Sequence, residues 1–574
     1  MLLRSLVIAT CLCLVAVPTA GQADRPAWSE MLVDPDFDPE LDRWRSDAAR
    51  HEPAAGPDGG PALVVEGGRG FFGTGRSRVS LPLVTALPGE RLSFSVMARC
   101  PDGNKTIAVS IWSYDWSAEG ADGGHWKSLG ATEADVELAQ GEWTRATVEG
   151  DVPQAADSVV VQVTHRGRQD VVLARASVTS LSLPPGAAGP DQSGTLTLGE
   201  VQALASRLRA DVLELRGQPF EQTPGVLLVD RERYRRMGRR GVEAPQSDES
   251  EAVDAALRLL GLLEPGEGRM ASRNTELADE ASGHYDVHAN VVVLCGDRPR
   301  LGLEPVLVHE LGHASDEFAF RSWFRLLSLP VGDLDGLLVQ NSLVEGSATV
   351  TMLAWIDREE AAGRGGADRL RVLEELEAQR AESVERLAPY QFESLASPYA
   401  MGVAYLRGVS AKTGQSWAEA CDDALTSPPA GTAWLLRPAA IPPIGETLTL
   451  PDLSDDQRVR RAAGTLGEQL TAAWLGRPRP TIGRLQDVDL SLWTIPASEG
   501  WRADRWQLYG EGAGELLLLV SLWDDAEQAR EFLEAVRGEE RLLRRVGERT
   551  LVVLGGNDGS RRALADDLLV ALAD

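Results

Sequence analysis

The first part of the chain alternates hydrophobic and polar residues with a period of two. Between residues 24 and 184, short apolar runs such as Arg91–Val96, Thr106–Ser110 and Ser158–Val163 are separated by turns rich in Gly, Pro and Asp. This pattern is typical of an all-β sandwich, because successive side chains of a strand point to opposite faces. We therefore predict a β-sandwich over residues 24–184, followed by a linker at residues 185–195, PPGAAGPDQSG.

The middle of the chain changes to helical spacing. Apolar residues recur every three or four positions in Gly199–Leu215 and in Asp368–Leu387. Shorter apolar runs at Val226–Val229 and Asn290–Leu294 predict strands. Residues 196–476 are therefore predicted to form a mainly helical α+β domain.

The last part of the chain mixes both patterns. Leu516–Leu522 and Thr550–Leu554 read as strands, and Asp525–Arg537 reads as an amphipathic helix. We predict a small α+β unit over residues 481–574, preceded by a helix at Gln457–Leu475. The predicted fold class is thus multidomain: a β-sandwich, a mainly helical α+β domain and a small α+β unit.

One motif in the middle region carries recognisable chemistry. Residues 309–313 read His-Glu-Leu-Gly-His, an HExxH motif, in a chain that has only 7 His among 574 residues. On a helix, His309 and His313 project from one face and can share one metal ion, and Glu310 lies about 100° round the axis. This arrangement predicts a Zn²⁺ site in which Glu310 takes a proton from water. Pro305 suits the first turn of this helix, where its missing N–H costs nothing.

A catalytic zinc site needs a third protein ligand, and Glu345 is the best candidate. It follows His313 by 32 residues (345 − 313) in the segment NSLVEGSAT, which predicts the start of a second helix. Ser342 and Glu345 also have the spacing of a capping box, so the carboxylate could instead bond the first amide of that helix. Glu317 is a weaker candidate, because His309, His313 and Glu317 would lie in a row along one helix.

These residues resemble a known family. HELGH followed by a helix bearing EGSAT is similar to the gluzincin group of zinc metallopeptidases, and more closely to secreted bacterial proteins with an HExxH and EGxAT pattern. The resemblance covers about residues 196–440, where LRGQPF, HYD and SPYAMG also match. It implies a zincin-like metallopeptidase fold, the ligands His309, His313 and Glu345, Glu310 as base, and a peptide or protein substrate. Many gluzincins place an Asp four residues after the ligand Glu, where this chain has Thr349.

Two tyrosines and one strand are candidates for substrate contacts. Tyr285 and Tyr399 could each donate to a developing oxyanion, or could simply pack in the core. In zinc peptidases of this type, a strand placed like Asn290–Leu294 borders the cleft and pairs with an extended peptide.

The predicted sandwich resembles the galactose-binding-like jelly rolls found among carbohydrate-binding modules. Its opening LVDPDF segment and its closing VTSL segment carry the likeness. Trp112, Trp116 and Trp126 lie in or beside one Gly-rich segment and could stack on sugar rings of a cell-surface polysaccharide. The alternative is that these aromatic residues fill the core.

Charge and cysteine content restrict the partners and the compartment. Asp and Glu number 86 against 57 Lys and Arg, giving a net charge of −29, which argues against nucleic-acid binding. Outside the N-terminal segment, Cys100, Cys295 and Cys421 have no metal-ligand spacing and are predicted to be buried as small hydrophobic residues.

The N-terminal segment predicts export. Residues 1–23 combine Arg4, an apolar core at Leu6–Val17 and a small-x-small cleavage site at residues 21–23. We expect a secreted, periplasmic or envelope protein without an integral membrane span after cleavage, and an uncleaved anchor or a lipoprotein is the alternative. The function expected from the sequence is a secreted zinc metallopeptidase. The alternative is an envelope scaffold with an inactive HExxH domain that binds carbohydrate or protein.

Overall fold

The structure is a computed structural model, and it describes most of the chain from residue 45 to residue 571. The ranges within it that are not described are 47–48, 53–54, 58, 68–75, 81–83, 86–88, 116–126, 157, 183–197, 219–223, 230, 232–233, 235–246, 270–281, 288–289, 297–299, 439–446, 456–457, 481–484 and 537–540. The predicted signal segment, the predicted linker, Trp116 and Trp126 lie outside the described residues.

Eleven strands among the described residues form two antiparallel sheets in the first part of the chain. In order they are β1 (Arg45–Ser46), β2 (Ala49–Glu52), β3 (Ala62–Val65), β4 (Arg76–Ser80), β5 (Val84–Thr85), β6 (Arg91–Arg99), β7 (Lys105–Asp115), β8 (Lys127–Leu138), β9 (Thr144–Asp151), β10 (Ser158–Arg166) and β11 (Val171–Ser182). One sheet has the order β1-β4-β10-β7-β8 with β5 also on β10, and the other has the order β2-β3-β11-β6-β9.

The two sheets share one hydrophobic core. Phe94 of β6, Val109 of β7, Val161 of β10 and Val178 of β11 belong to a single buried cluster and are fully buried. The alternating pattern in the sequence therefore predicted the β-sandwich correctly, because each strand turns every second side chain into the space between the sheets.

The middle region is built from helices around a small sheet. Its elements are α1 (Leu198–Arg216), β12 (Gly225–Val229), α2 (Asp248–Leu259), β13 (Gly283–Asp286), β14 (Val291–Cys295), α3 (Arg300–Phe320), α4 (Ser322–Ser328), α5 (Leu334–Ala361), α6 (Gly366–Arg386), α7 (Pro389–Leu395), α8 (Ser397–Thr413), α9 (Trp417–Thr426) and α10 (Thr432–Leu435). The sheet has the order β12-β14-β13, with β14 parallel to β12 and antiparallel to β13.

This sheet corrects one expectation about peptide binding. The predicted strand at Asn290–Leu294 is β14, and both of its sides already pair with neighbouring strands. An extended peptide cannot add to a central strand. Among the described residues, only the outer strands β12 and β13 have a free side for such pairing.

Both helices that carry the motif residues start earlier than predicted. Helix α3 begins at Arg300, so Pro305 lies inside the helix and the carbonyl of Leu301 receives no helical hydrogen bond from it. Helix α5 begins at Leu334, after the N-cap Asp333, whose side chain accepts a hydrogen bond from the amide of Gly336 at 3.1 Å. The sequence-based boundaries were displaced because the apolar segments of both helices are buried on most sides.

The C-terminal unit is a five-stranded antiparallel sheet with helices. Its elements are β15 (Arg460–Gly464), α11 (Gly467–Trp474), three short 3-10 turns (Leu485–Asp487, Leu490–Trp493 and Gly512–Gly514), β16 (Trp501–Tyr509), β17 (Leu516–Trp523), α12 (Ala526–Ala535), β18 (Arg541–Val546), β19 (Arg549–Gly555) and α13 (Asp558–Ala571). The sheet order is β15-β16-β17-β19-β18.

The start of this unit differs from the prediction. The predicted helix at Gln457–Leu475 is wrong in its first half, because β15 pairs with β16 there. Pairing with a neighbouring strand overrides the weak helical pattern of the sequence RRAAG. The C-terminal sheet therefore begins at Arg460 and not at residue 481.

Two further predictions concern single residues and membrane association. Cys100, Cys295 and Cys421 are all buried, as predicted. Among the helices that the structure describes, none is long and apolar enough to cross a membrane.

Candidate metal centre

Small residues bring the helices of the motif close together. A Cβ atom on Gly312 of α3 would lie 3.2 Å from the Cα of Ala348 in α5. A Cβ atom on Gly346 would lie 2.5 Å from the Cα of Gly402 in α8, and one on Gly402 would overlap the carbonyl oxygen of Ser342. The residues around Glu345 therefore have to be small, because α5 is in backbone contact with the helices on either side of it.

This packing brings three predicted ligands to one point. One atom of each of His309, His313 and Glu345 lies within 4.8 Å of the other two, and all three residues are buried. The Nε2 atoms of His309 and His313 lie 3.3 and 3.2 Å from Oε2 of Glu345. Among the described residues, this is the only group of three or more His, Cys, Asp or Glu side chains that converges in this way.

The spacing fits a tetrahedral zinc ion. Zinc binds His nitrogen and carboxylate oxygen at about 2.0–2.1 Å, so two tetrahedral ligand atoms should lie about 3.3 Å apart. The two separations between imidazole Nε2 and carboxylate Oε2 match this value. The two imidazole rings are nearly perpendicular, with centroids 4.6 Å apart, so their nitrogens approach the shared point from different directions.

The polar atoms of the centre are buried with few partners. Nδ1 of His309 and both ring nitrogens of His313 have no hydrogen-bond partner in the described part of the chain. Burial would raise the pKa of Glu345, but the neighbouring charge of His313 and the hydrogen bond with His309 hold that pKa below its ordinary value. An ionised carboxylate beside two imidazoles with unpartnered nitrogens is a donor set that suits Zn²⁺.

The structure also decides between the two readings of Glu345. Because α5 starts at Leu334, Glu345 lies in the middle of the helix and cannot cap it. The capping-box alternative is therefore wrong. Glu317 has a different role, since its Oε2 accepts hydrogen bonds from the amides of Trp323 and Phe324 at 2.7 and 3.2 Å and caps α4.

Glu310 and Tyr399 lie close to the ligands. Glu310 directly follows His309 in α3 and is buried. Tyr399 at the start of α8 is buried, and its ring centroid lies 6.0 Å from that of His309. Tyr285 belongs to β13, and its hydroxyl donates to Oδ1 of Asn290 at 3.1 Å. Of the two tyrosines singled out in the sequence, the structure thus brings Tyr399 to the centre.

Sequence reasoning missed two contacts that position the ligands. The ring of Trp323 packs edge-on against His313, with centroids 5.3 Å apart. Asp316, three residues after His313, forms a fully buried ion pair with Arg216 of α1 at 2.6 Å. Arg216 lies in the LRGQPF segment that matches the family pattern, so the sequence contained a signal for this contact. No sequence signal pointed to Trp323.

Thr349 lies one turn after Glu345 on α5, where many gluzincins have an Asp. Thr349 is buried, and its hydroxyl has no hydrogen-bond partner in the described part of the chain. It therefore does not take the place of the Asp that orients a ligand His in many gluzincins.

The structure describes one of the three tryptophans that the sequence analysis singled out. Trp112 lies on β7, is half-buried, and donates from Nε1 to Oγ of Ser110 at 3.1 Å. Trp116 and Trp126 lie outside the described residues.

Comparison with known proteins gives a family match for the C-terminal unit. Residues 457–566, which span β15 and most of α13, match a model described as a domain of unknown function (DUF8575). No curated protein matches the chain.

Several solved structures that match part of the chain contain carbohydrate-binding modules. The CBM22-1–GH10 modules of Clostridium thermocellum endo-1,4-beta-D-xylanase 10B, complexed with xylohexaose, are 16% identical over 28% of this chain and 29% of that chain, with a TM-score of 0.22. TmCBM61 in complex with beta-1,4-galactotriose is 14% identical over 26% of this chain and 97% of its own, with a TM-score of 0.20. The CBM22-2 xylan-binding domain of Paenibacillus barcinonensis Xyn10C is 12% identical over 27% of this chain and 98% of its own, with a TM-score of 0.20.

These likenesses are too low to carry an argument. This chain spans less than a third of the xylanase modules. The assignment of a β-sandwich rests on the strand pairing of the chain itself.

Proposed function

We propose that this protein is a secreted zinc-dependent hydrolase, most simply a metallopeptidase with a zincin-like fold, in which His309, His313 and Glu345 hold the metal. The observation that supports the proposal is the convergence of two imidazoles and one carboxylate from α3 and α5 at tetrahedral spacing. The same three residues are those implied by the gluzincin resemblance.

The residues around the centre divide the work of hydrolysis. Zinc, when bound, supplies Lewis-acid activation of water and of a carbonyl group. Glu310 is held next to His309 by the helix and is proposed to accept the proton from water and to pass it to the leaving amine. The Tyr399 hydroxyl is the candidate donor to the developing oxyanion, because its ring lies beside that of His309.

A peptide substrate is proposed from the arrangement of the small sheet. β13 contacts α3 and is an outer strand in the described part of the chain. An extended peptide that pairs with β13 would place its backbone along the helix that carries the HExxH motif.

An inactive scaffold is the second candidate, and the burial of the centre favours it. His309, Glu310 and His313 are only 3%, 1% and 1% exposed, which leaves little surface for a substrate. In this alternative the metal stabilises the helices and the sandwich binds carbohydrate or protein. Trp112 supports a polysaccharide partner, because it is a partly exposed aromatic residue on a strand.

Metal content separates a zinc site from a chance cluster. We expect about one zinc per chain by elemental analysis, and loss of that zinc in both His309→Ala and Glu345→Ala. Two matched variants should keep the metal: His284→Ala, which removes another imidazole, and Asp357→Ala, which removes an exposed carboxylate of α5. A wild-type chain that neither carries nor takes up zinc would overturn the proposal.

Activity separates the enzyme from the scaffold. The wild-type chain should cleave members of a fluorogenic peptide library, and Glu310→Gln should lose at least a hundredfold in rate while it keeps its zinc. Zinc binding without cleavage of any library member would favour the scaffold. Affinity electrophoresis of wild type and Trp112→Ala through a panel of soluble polysaccharides would then test the sandwich.

A further inference from the structure

A surface cavity of about 540 Å³ lies where four helices meet. It is formed by α1, the first turn of α3, the last turns of α5 and the start of α6. Four arginines line it: Arg207, Arg300, Arg364 and Arg369. In a chain with a net charge of −29, four guanidinium groups around one cavity need an explanation.

Two buried carboxylates lie at the bottom of this cavity. The side chains of Glu304 and Glu359 are only 2% and 3% exposed. Glu304 accepts hydrogen bonds from Nε of Arg300 at 3.0 Å and from Nε of Arg369 at 2.7 Å. Glu359 accepts from Nε of Arg364 at 3.0 Å. A third carboxylate of the cavity, that of Asp211, is 22% exposed and pairs with Arg358 at 2.6 Å. All three acidic groups are therefore already paired with guanidinium groups.

The guanidinium groups form the exposed rim. The side chains of Arg207, Arg300 and Arg364 are 48%, 53% and 55% exposed. Arg207 approaches carboxylates only at 3.6 and 3.7 Å, which is too long for a hydrogen bond. Within the part of the chain that the structure describes, the two terminal nitrogens of Arg300 have no hydrogen-bond partner. The rim thus keeps N–H donors that the protein itself does not use.

We propose that this cavity is a binding site for a phosphate group, either free phosphate or a phosphomonoester. The three exposed guanidinium groups come from α1, α3 and the segment between α5 and α6, so they surround the opening instead of lining one side. Donors on several sides suit a tetrahedral oxyanion, and arginine binds phosphate through paired N–H groups. The volume leaves room for more than a bare phosphate ion.

The site is separate from the metal centre and does not depend on the proposed hydrolase function. Arg300 precedes His309 by nine residues on α3, which is about 13 Å along the helix axis. A purely structural ion network explains Arg364 and Arg369, which are bonded to buried carboxylates. It explains only the Nε of Arg300, which bonds Glu304, and it leaves Arg207 and the two terminal nitrogens of Arg300 with donors at the surface.

Titration calorimetry with inorganic phosphate on the full chain at low ionic strength tests this proposal. We expect saturable binding at one site per chain, and a dissociation constant at least tenfold higher in Arg207→Gln/Arg300→Gln. Arg371→Gln is the matched control, because Arg371 is an exposed arginine of α6 that does not line the cavity. Binding should be the same after removal of zinc, which excludes phosphate bound at the metal centre.

Two further ligands and a measurement of thermal stability complete the test. Glycerol phosphate should bind at least as tightly as phosphate if the natural ligand is a phosphomonoester, and more weakly if it is the free ion. Tighter binding of citrate than of either phosphate would overturn the phosphate assignment. Absence of saturable binding, or equal loss in Arg371→Gln, would overturn the site itself. The thermal midpoint of the double variant should match the wild type, because both substituted side chains are about half exposed.

Discussion

Among the buried carboxylates of helix α5, the protein treats two in opposite ways. Asp335 lies in its first turn and Glu345 lies ten residues later, and both are almost completely buried. The pKa of Glu345 is held below its ordinary value, whereas the pKa of Asp335 is raised to about 7. Equal burial on one helix therefore does not decide whether a carboxylate is charged.

The partners of each carboxylate account for the difference. Burial raises the pKa of Asp335, and the hydrogen bonds from the amide and hydroxyl of Thr432 at 2.9 and 2.6 Å only partly oppose it. The charges of Asp504 and Asp333 raise it further. Glu345 instead faces the imidazoles of His309 and His313. The first turn of α5 thus favours a protonated carboxyl group, and the middle of α5 favours an ionised one.

The largest expected effect is on the proposed zinc site. At zinc concentrations about a thousandfold above the dissociation constant, bound metal should add about 4 kcal/mol to the free energy of unfolding. Removal of zinc should abolish this gain, and Glu345→Gln should make stability insensitive to zinc. Denaturant unfolding with and without zinc measures both, with Asp357→Asn as the matched control on the exposed side of α5. A zinc-dependent gain that survives in Glu345→Gln would remove Glu345 from the ligand set.

The second effect tests the position of the helix without touching either carboxylate. Gly402→Ala should destabilise the protein by about 3 kcal/mol, because the added methyl group overlaps the carbonyl of Ser342 and pushes α8 away from α5. We also expect weaker zinc binding, since Glu345 moves with the helix. Lys412→Ala, an exposed change on α8, is the control and should stay within about 0.5 kcal/mol. Wild-type stability in Gly402→Ala would show that the two helices are not in backbone contact.

The third effect concerns the proton that the carboxyl group of Asp335 holds in the folded protein. Because the pKa of Asp335 is higher in the folded protein than its ordinary value of 3.8, the folded state holds the extra proton. The associated stability is fully present below about pH 4 and is lost as the pH rises through 7, by up to about 4 kcal/mol. Asp335→Asn should flatten this slope in denaturant unfolding between pH 4 and 8.

Asp504 shares this behaviour and limits the flattening. Burial raises its pKa to about 6, so it titrates in the same direction as Asp335. Asp335→Asn/Asp504→Asn should therefore flatten the slope more than either single change, while Asp357→Asn should leave it unchanged. An unaltered slope in the double variant would show that neither carboxyl group holds the proton.

The sequence predicted the residues of the metal centre better than it predicted where helix α5 begins. The HExxH spacing and Glu345 were read from local pattern, because helical spacing fixes which side chains share a face. The start of α5 was missed because a helix buried on most sides lacks an apolar and a polar face. For the same reason the capping box remained an alternative reading of Glu345.

Long-range contacts could not be read at all. Asp335 meets Thr432 and Asp504, which are 97 and 169 residues later (432 − 335 and 504 − 335), and no local pattern records such meetings. Trp323 likewise meets His313 only because α4 turns back after Arg321, which adopts a left-handed conformation with φ of 56°. β15 was missed because its strand character comes from pairing with β16.

The smallest expected effect distinguishes the neighbours of the cation from its ligands. Thr349 occupies the position where many gluzincins orient a ligand His, but its buried hydroxyl has no partner among the residues that the structure describes. Thr349→Val removes the hydroxyl and keeps the shape, so stability should change by less than about 1 kcal/mol and zinc affinity by less than threefold. A loss of tenfold or more in zinc affinity, measured by competition with a chelator, would mean that Thr349 does orient an imidazole. In that case the polar surroundings of Glu345 would extend one turn further along α5 than the contacts of the helix indicate.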